Sequence, residues 1–219
     1  MPRALFEKTG NAVWISHLDL MRVFQRAFKR AGLHLTHTQG FNPRPSVSIA
    51  LPLSVGIESC CELLDFDLEG EKYSNEEILR RLNENLISGV KIIAVYDDCN
   101  KIKNLAYLDC VLTLEYDAVI PGGGPEQLKA LFSREEVVVE KRTKNGPKPE
   151  NIIPLIRKLE ILPVDDSILQ INTRVCCQNP ALNPMQLIAA IDLYLPELKP
   201  DFVLCRRVEV YDTNEAVFR

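Results

Sequence analysis

Apolar positions recur along this chain with two different periods, and the switches between them mark its elements. In the stretch HLDLMRVFQRAFKRA, Leu20, Met21, Phe24, Ala27, Phe28 and Ala31 follow the three-to-four-residue spacing of one helix face. They predict a helix over residues 17–31. Ser16 stands at its N-cap with Asp19 in the capping-box position, and Gly32 stops it at C′. Residues 6–15 read as a strand interrupted by a Thr-Gly-Asn turn, or as a short hairpin. Alternating or β-rich runs predict strands over 33–38, 47–53, 62–68 and 90–96. Ser74-Asn75-Glu76-Glu77 opens a helix of about 14 residues. A similar order follows the polar connector 97–104. Strands are predicted over 108–116, 137–142, 168–175 and 202–211, and helices over 126–132 and 183–195. Residues 155–159 fit either a helical turn or an extended piece.

Strand, helix, strand, strand, helix, strand is the order of the split βαβ unit. The expected fold is therefore α+β, with tandem ferredoxin-like halves over 1–98 and 105–219. Each half would carry an antiparallel sheet with helices packed on one face. No internal sequence repeat accompanies the repeated order. Gly122-Gly123-Gly124 lacks the Gly-Lys-Ser/Thr ending of a phosphate loop and reads as a flexible turn.

Composition narrows the class without naming a function. A 219-residue chain with 46% hydrophobic and 26% charged residues has the make-up of a globular protein. No run reaches a membrane span and no signal-peptide pattern opens the chain. Seven cysteines, an odd number, fit a reducing compartment, and a cytoplasmic location is expected. The net charge of −4 argues against a general nucleic-acid binder, but its distribution does not. Residues 1–50 hold seven Lys or Arg against two acids, whereas residues 51–100 hold four against eleven. All three histidines also fall in the first segment. A local positive field on an acidic chain points to a placed site.

The candidate chemistry lies in that segment. At about 100° per residue, Arg22, Arg26, Lys29 and Arg30 share one sector of the first helix, opposite its apolar face. A solvated face ordinarily mixes Glu with Lys, and this one does not. The alternatives are a plain solvated face or a surface for phosphates or acidic protein. Next comes THTQGFNPRPSVSIALPL. Gln39-Gly40 permits a reversal with positive φ, and Pro43 and Pro45 stiffen the backbone around Arg44. Asn42 can bond at the turn, and Phe41 can stack on a base or pack beneath the loop. In the second half, Lys141, Arg142, Lys144 and Lys148 cluster in KRTKNGPKPE, as a mobile tip or a second anion contact. His17 and His37 are candidate general bases. His34 and His37 point to opposite faces of an extended stretch, so no metal site is expected.

Three stretches together resemble a known family. FEKTGNAVWISHLDLMRVFQRAFKRAGL, THTQGFNPRPSVSIALPLSVGIES and ELLDFDLEG are similar to the radical-SAM-associated (radical-SAM-linked) domain of unknown function, in its stand-alone form. Its pattern runs from Ser-His-Leu-Asp-Leu-Met-Arg through Ser-Gln-Gly-Phe-Asn-Pro-His-Pro to Gly-X-Glu-Ser. Thr38 stands where the family usually has Ser. Arg44 stands where it often has His, which removes a histidine and preserves anion binding. The resemblance implies partnership with a radical SAM enzyme. A radical SAM centre needs a CxxxCxxC triplet, and cysteines at 60, 61, 99, 110, 176, 177 and 205 form none. The iron-sulfur cluster and S-adenosylmethionine are expected only in the partner, with no cofactor in this chain.

The expectation is thus an accessory module binding tRNA or rRNA beside a separate radical SAM enzyme. Arg22, Arg26, Lys29, Arg30 and Arg44 would contact phosphate, with Gln39 and Phe41 at a base. A protein adaptor docking on an acidic surface of that partner is the alternative. A metal-independent endoribonuclease is the third reading.

Overall fold

The computed structural model describes residues 1–70, 72–97, 99–143 and 146–219, with backbone alone at 142 and 143. It is a mixed α+β chain of mainly antiparallel sheet, divided into two compact units. Residues 1–104 with 217–219 form the first unit, and 105–216 the second. Among the described residues no helix is long and apolar enough to cross a membrane.

The first unit contains β1 (Arg3–Lys8), α1 (His17–Arg30), β2 (Val47–Ile49), β3 (Ile57–Phe66), α2 (Asn75–Asn83) and β4 (Val90–Tyr96). Its strands run in the order β4-β1-β3, and the three-residue β2 pairs antiparallel with the end of β3. Alternation along β1 and β3 turns Phe6 and Phe66 to one face, where α1 docks. Phe24 meets Phe6 edge-on at 4.8 Å between ring centroids, and Phe28 meets Phe66 at 5.0 Å. All four are fully buried. α2 lies beside α1, tied by Arg30 to the Asn85 carbonyl and by Arg81 to the Ala31 carbonyl. Behind the sheet, buried Arg3 forks onto Asp65, its Nε at 2.6 Å and Nη2 at 3.1 Å, and covers the Phe218 ring.

The second unit contains β5 (Leu105–Glu115), α3 (Gly124–Phe132), β6 (Val138–Thr143), β7 (Gly146–Asn151), β8 (Ile156–Pro163), β9 (Ile168–Cys176), α4 (Met185–Tyr194) and β10 (Phe202–Asp212). Its sheet runs β10-β5-β9-β8, while β6 and β7 pair only with each other. Leu108, Leu112, Leu169 and Ile171 face the core with Leu128 and Leu131 of α3 and Leu187 and Ile191 of α4. On the other face, Arg174 forks onto Asp109, bonds Glu215 at 2.7 Å and lies 3.6 Å from the Tyr211 centroid.

Several sequence expectations need correction. Residues 10–14 form a 3-10 helix rather than a continuation of the first strand. Residues 33–38 make only the isolated bridges Leu35↔Leu68 and His37↔Pro45, because their backbone bonds are shared among neighbouring loops. The expected strand 47–53 shortens to β2, and the second helix has nine residues. Of residues 155–159, Leu155 ends a short 3-10 helix and the rest begin β8, the edge strand beside β9. The run 137–142 belongs to an inserted hairpin instead of the main sheet, since its partner is the Pro-containing β7.

One glycine fixes the segment entering α1. Gly89 has φ +83, accepts from the Thr9 amide at 2.8 Å, and would place a Cβ 2.4 Å from the Thr9 oxygen and 2.8 Å from Ala12 Cβ. Gly89→Ala should destabilise the protein by about 2 kcal/mol or more, through overpacking and positive φ. Gly122→Ala, with nothing within 4 Å of its Cβ position, should be near neutral. Equal denaturation midpoints for the two variants would contradict this packing account.

Candidate functional site

The site begins with how α1 is capped and oriented. The Ser16 hydroxyl accepts from the Asp19 amide at 3.2 Å and donates to the Asp19 carboxylate at 2.7 Å. Arg22 donates to the same carboxylate at 2.7 Å. The Ser16 hydroxyl first, and then the Arg22 guanidinium, hold the Asp19 carboxyl below its ordinary pKa. At the other end, Gly32 at φ +68 closes the helix, and the Leu33 amide bonds the Phe28 carbonyl at 3.0 Å.

The four cations expected on the polar face are all exposed, but they are not equivalent. Arg22 is paired with Asp19, and Arg30 donates to the Asn85 carbonyl. Among the described residues, Arg26 and Lys29 have no ion pair. Their charge stands open beside the partly neutralised Arg22. Sequence spacing placed the stripe but did not separate these roles.

The stiff loop is a closed hairpin. The Thr38 amide donates to the Arg44 carbonyl at 2.8 Å, and the Ser46 amide to the Thr36 carbonyl at 2.7 Å. The Arg44 amide donates to the Thr38 hydroxyl at 3.0 Å, a bond that either Thr or Ser can accept. The hairpin is fastened at its base to the end of β3. Thr36 bonds Asp67 through its amide at 3.0 Å and its hydroxyl at 3.1 Å, and the Asp67 amide bonds the Ser46 carbonyl at 3.0 Å. Gly40 turns the tip at φ +143. Phe41 is 102% exposed, so of its two expected roles it does not pack beneath the loop. Gln39, Asn42 and Arg44 are exposed beside it, and Arg44 has no ion pair among the described residues.

The histidines lie apart from one another in role. His17 opens α1, and its Nδ1 is buried without a hydrogen-bond partner. His37 is half exposed with Nδ1 4.0 Å from Glu69. General base chemistry on RNA needs a histidine beside a cationic stabiliser, and His37 stands beside a carboxylate. Among the described residues no group of three or more His, Cys, Asp or Glu side chains forms a metal site.

In the second unit, Lys141 sits on β6, where its ammonium donates to Glu150 at 2.9 Å and to the Ala181 carbonyl at 2.8 Å. Arg142 lies on the same strand, its side chain outside the described residues, as is Lys144. Two exposed residues in the first unit escaped the sequence reading. Trp14 ends the 3-10 helix at 65% exposure, and Leu18 is 69% exposed on α1. The signal for Leu18 was its position four residues before Arg22, inside the polar sector.

The chain belongs to the family described as an uncharacterized protein conserved in bacteria (DUF2344), whose model matches residues 2–184. No curated protein matches it. Among solved structures it is similar to a chain of a Cbf5-Nop10-Gar1 complex, at 9% identity and TM-score 0.54, over 95% of this chain and 48% of that one. It also aligns with a chain of an archaeal box H/ACA sRNP Nop10-Cbf5 complex, at 8% identity and TM-score 0.48, over 94% of this chain and 46% of that one. This chain thus spans about half the length of each of these two solved chains. At such identity the first likeness is one of fold alone.

Because Phe41, Arg26 and Lys29 touch so little, they should not support the fold. Phe41→Ala and Arg26/Lys29→Ala should leave unfolding free energy within about 0.5 kcal/mol of the parent. Phe28→Ala should cost about 3–5 kcal/mol. Urea titration checks this, and a Phe41→Ala loss as large as that of Phe28→Ala would show that the loop is packed.

Proposed function

We propose, with membership of this family as the premise, that the chain is an accessory RNA-binding module. Its first unit would hold tRNA or rRNA while a separate radical SAM enzyme modifies it in the cytoplasm. The observation that carries the reading is the open stripe of Arg26 and Lys29 with Arg22, next to a fastened hairpin that exposes Arg44 and Phe41. Phosphate contacts along such a stripe position an RNA without specifying its sequence. Arg26, Lys29 and Arg44 have no ion pair among the described residues to give up on binding. Arg22 and Arg30 contribute less, since each already has an acceptor.

Both units are inferred to be ferredoxin-like. Support comes from their strand orders, β4-β1-β3-β2 and β10-β5-β9-β8, which are the same order once the β6–β7 hairpin is set aside. The partnership with a radical SAM enzyme rests on the resemblance of residues 5–69 to the radical-SAM-associated domain. In that reading the cluster and S-adenosylmethionine belong to the partner. The fold shared with a chain of the Cbf5-Nop10-Gar1 complex fits an RNA-handling role and supplies no activity.

The test is fluorescence anisotropy of labelled tRNA at several salt concentrations. Engagement of about four phosphates should give a slope of log affinity against log salt near −3. Arg26/Lys29/Arg44→Ala should flatten that slope by about two. Binding indifferent to both salt and substitution would reject the RNA reading. The stripe would then belong to an acidic surface of a protein partner.

A further inference from the structure

We propose that Trp14 and Phe41 are two base-stacking platforms at opposite ends of the basic stripe, and that their ligand is an unpaired RNA strand rather than a duplex. The proposal rests on the RNA reading above and adds to it the form of the RNA and a residue, Trp14, outside the expected site.

The first observation is where the aromatic rings go. Phe6, Phe24, Phe28, Phe66 and Phe218 are all fully buried in the first unit. Phe41 is wholly exposed and Trp14 is 65% exposed. A unit that buries its other phenylalanines so completely leaves these two rings in water, and both flank the one helix whose polar face is basic.

The second observation is placement. The segment before α1 meets the start of β3, where the Gly56 amide bonds the Val13 carbonyl at 2.9 Å. The hairpin carrying Phe41 is fastened just past the other end of β3, at Asp67. α1 runs between these points, and its 14 residues span about 21 Å. Leu18, Arg22, Lys29 and Arg26 fall within about an 80° sector of that helix. The two segments that carry the exposed rings therefore stand at opposite ends of the helix that carries the cations.

The third observation is that the Trp14 ring is seated. The fully buried Lys8 donates from Nζ to the Ile15 carbonyl at 3.0 Å and reaches the Ser54 carbonyl at 3.5 Å. This ammonium joins the residue after Trp14 to the turn that leads to Gly56. At Gly56, with φ +81, a Cβ would lie 3.7 Å from the indole. The ring thus has its Cζ3 edge beside Gly56 and is otherwise largely exposed. Fixing a ring before binding lowers the ordering cost of stacking on it.

Between its ends, duplex RNA offers such rings no free base face. Its bases are paired and stacked, and its deep groove is closed to side chains. Unpaired bases stack on aromatic rings with little sequence preference, while cations track the backbone between them.

Trp14 is the only tryptophan in the chain, so its emission reports this contact directly. The probes are an unstructured oligouridylate of about twelve nucleotides, within the size range of single-strand sites, and a blunt RNA duplex of the same length. The strand should quench Trp14 emission to saturation, with little quenching by the duplex. Trp14→Ala should weaken strand binding, followed by anisotropy, by about tenfold. Trp14→Phe should restore most of that loss, and circular dichroism should show both variants folded. Strand binding that depends on Arg26 and Lys29 but leaves Trp14 emission unchanged would overturn the stacking proposal and keep the RNA reading. Tighter binding of the duplex would overturn it as well. Binding of neither RNA would remove both.

Discussion

The rotation of α1 about its own axis is the constraint on which the first unit's surface depends. Phe24 and Phe28 set that rotation by closing on Phe6 and Phe66. Burying two such rings contributes roughly 1.5–3 kcal/mol each. The like-charge neighbours Arg22, Arg26, Lys29 and Arg30 repel by about 0.2–0.5 kcal/mol per pair. Packing therefore outweighs repulsion, and the helix can carry a basic stripe without acidic partners along its middle. Lys29 and Arg30 also lie in the last turn, where the helix dipole favours cations, and Asp19 lies in the first turn, where it favours anions.

The hairpin depends on the same framework at one remove. Its base is held by Asp67, immediately after β3, and β3 is the strand against which Phe28 anchors the helix. A polar, proline-rich loop beside a buried strand is thereby explained. The strand supplies a rigid footing, the Thr38–Arg44 bonds close the loop, and the tip is left free to hold Phe41 and Arg44 in solvent. An arginine there presents a planar guanidinium fork that can grip a phosphate through two bonds, which an imidazole cannot.

Much of this was legible in the sequence wherever the physics is local. The Ser16 cap, the Gly32 stop, the apolar face of α1 and the β4 strand follow from short-range spacing, and each is found where spacing put it. What was not legible depends on partners distant in the chain. Periodicity marked 137–142 as extended, but only tertiary pairing decides that it joins β7 and that 156–163 takes the place beside β9. The inequality of the cations was hidden for a similar reason, because the carbonyl that occupies Arg30 is 55 residues away. Spacing puts Trp14 in an interrupted strand or a short hairpin over residues 6–15, and neither specifies its exposure. Its exposure follows from the 3-10 turn that Gly89 and Lys8 hold in place.

The central claim is that RNA lies along α1 between the Trp14 turn and the Phe41 hairpin. Ultraviolet cross-linking of bound tRNA to the intact protein, with the attachment sites read by peptide mass spectrometry, tests it most directly. The account predicts nucleotide adducts on peptides spanning residues 10–46, with Phe41 or Trp14 among the modified positions. Adducts confined to the second unit, with the α1 and hairpin peptides unmodified, would contradict it.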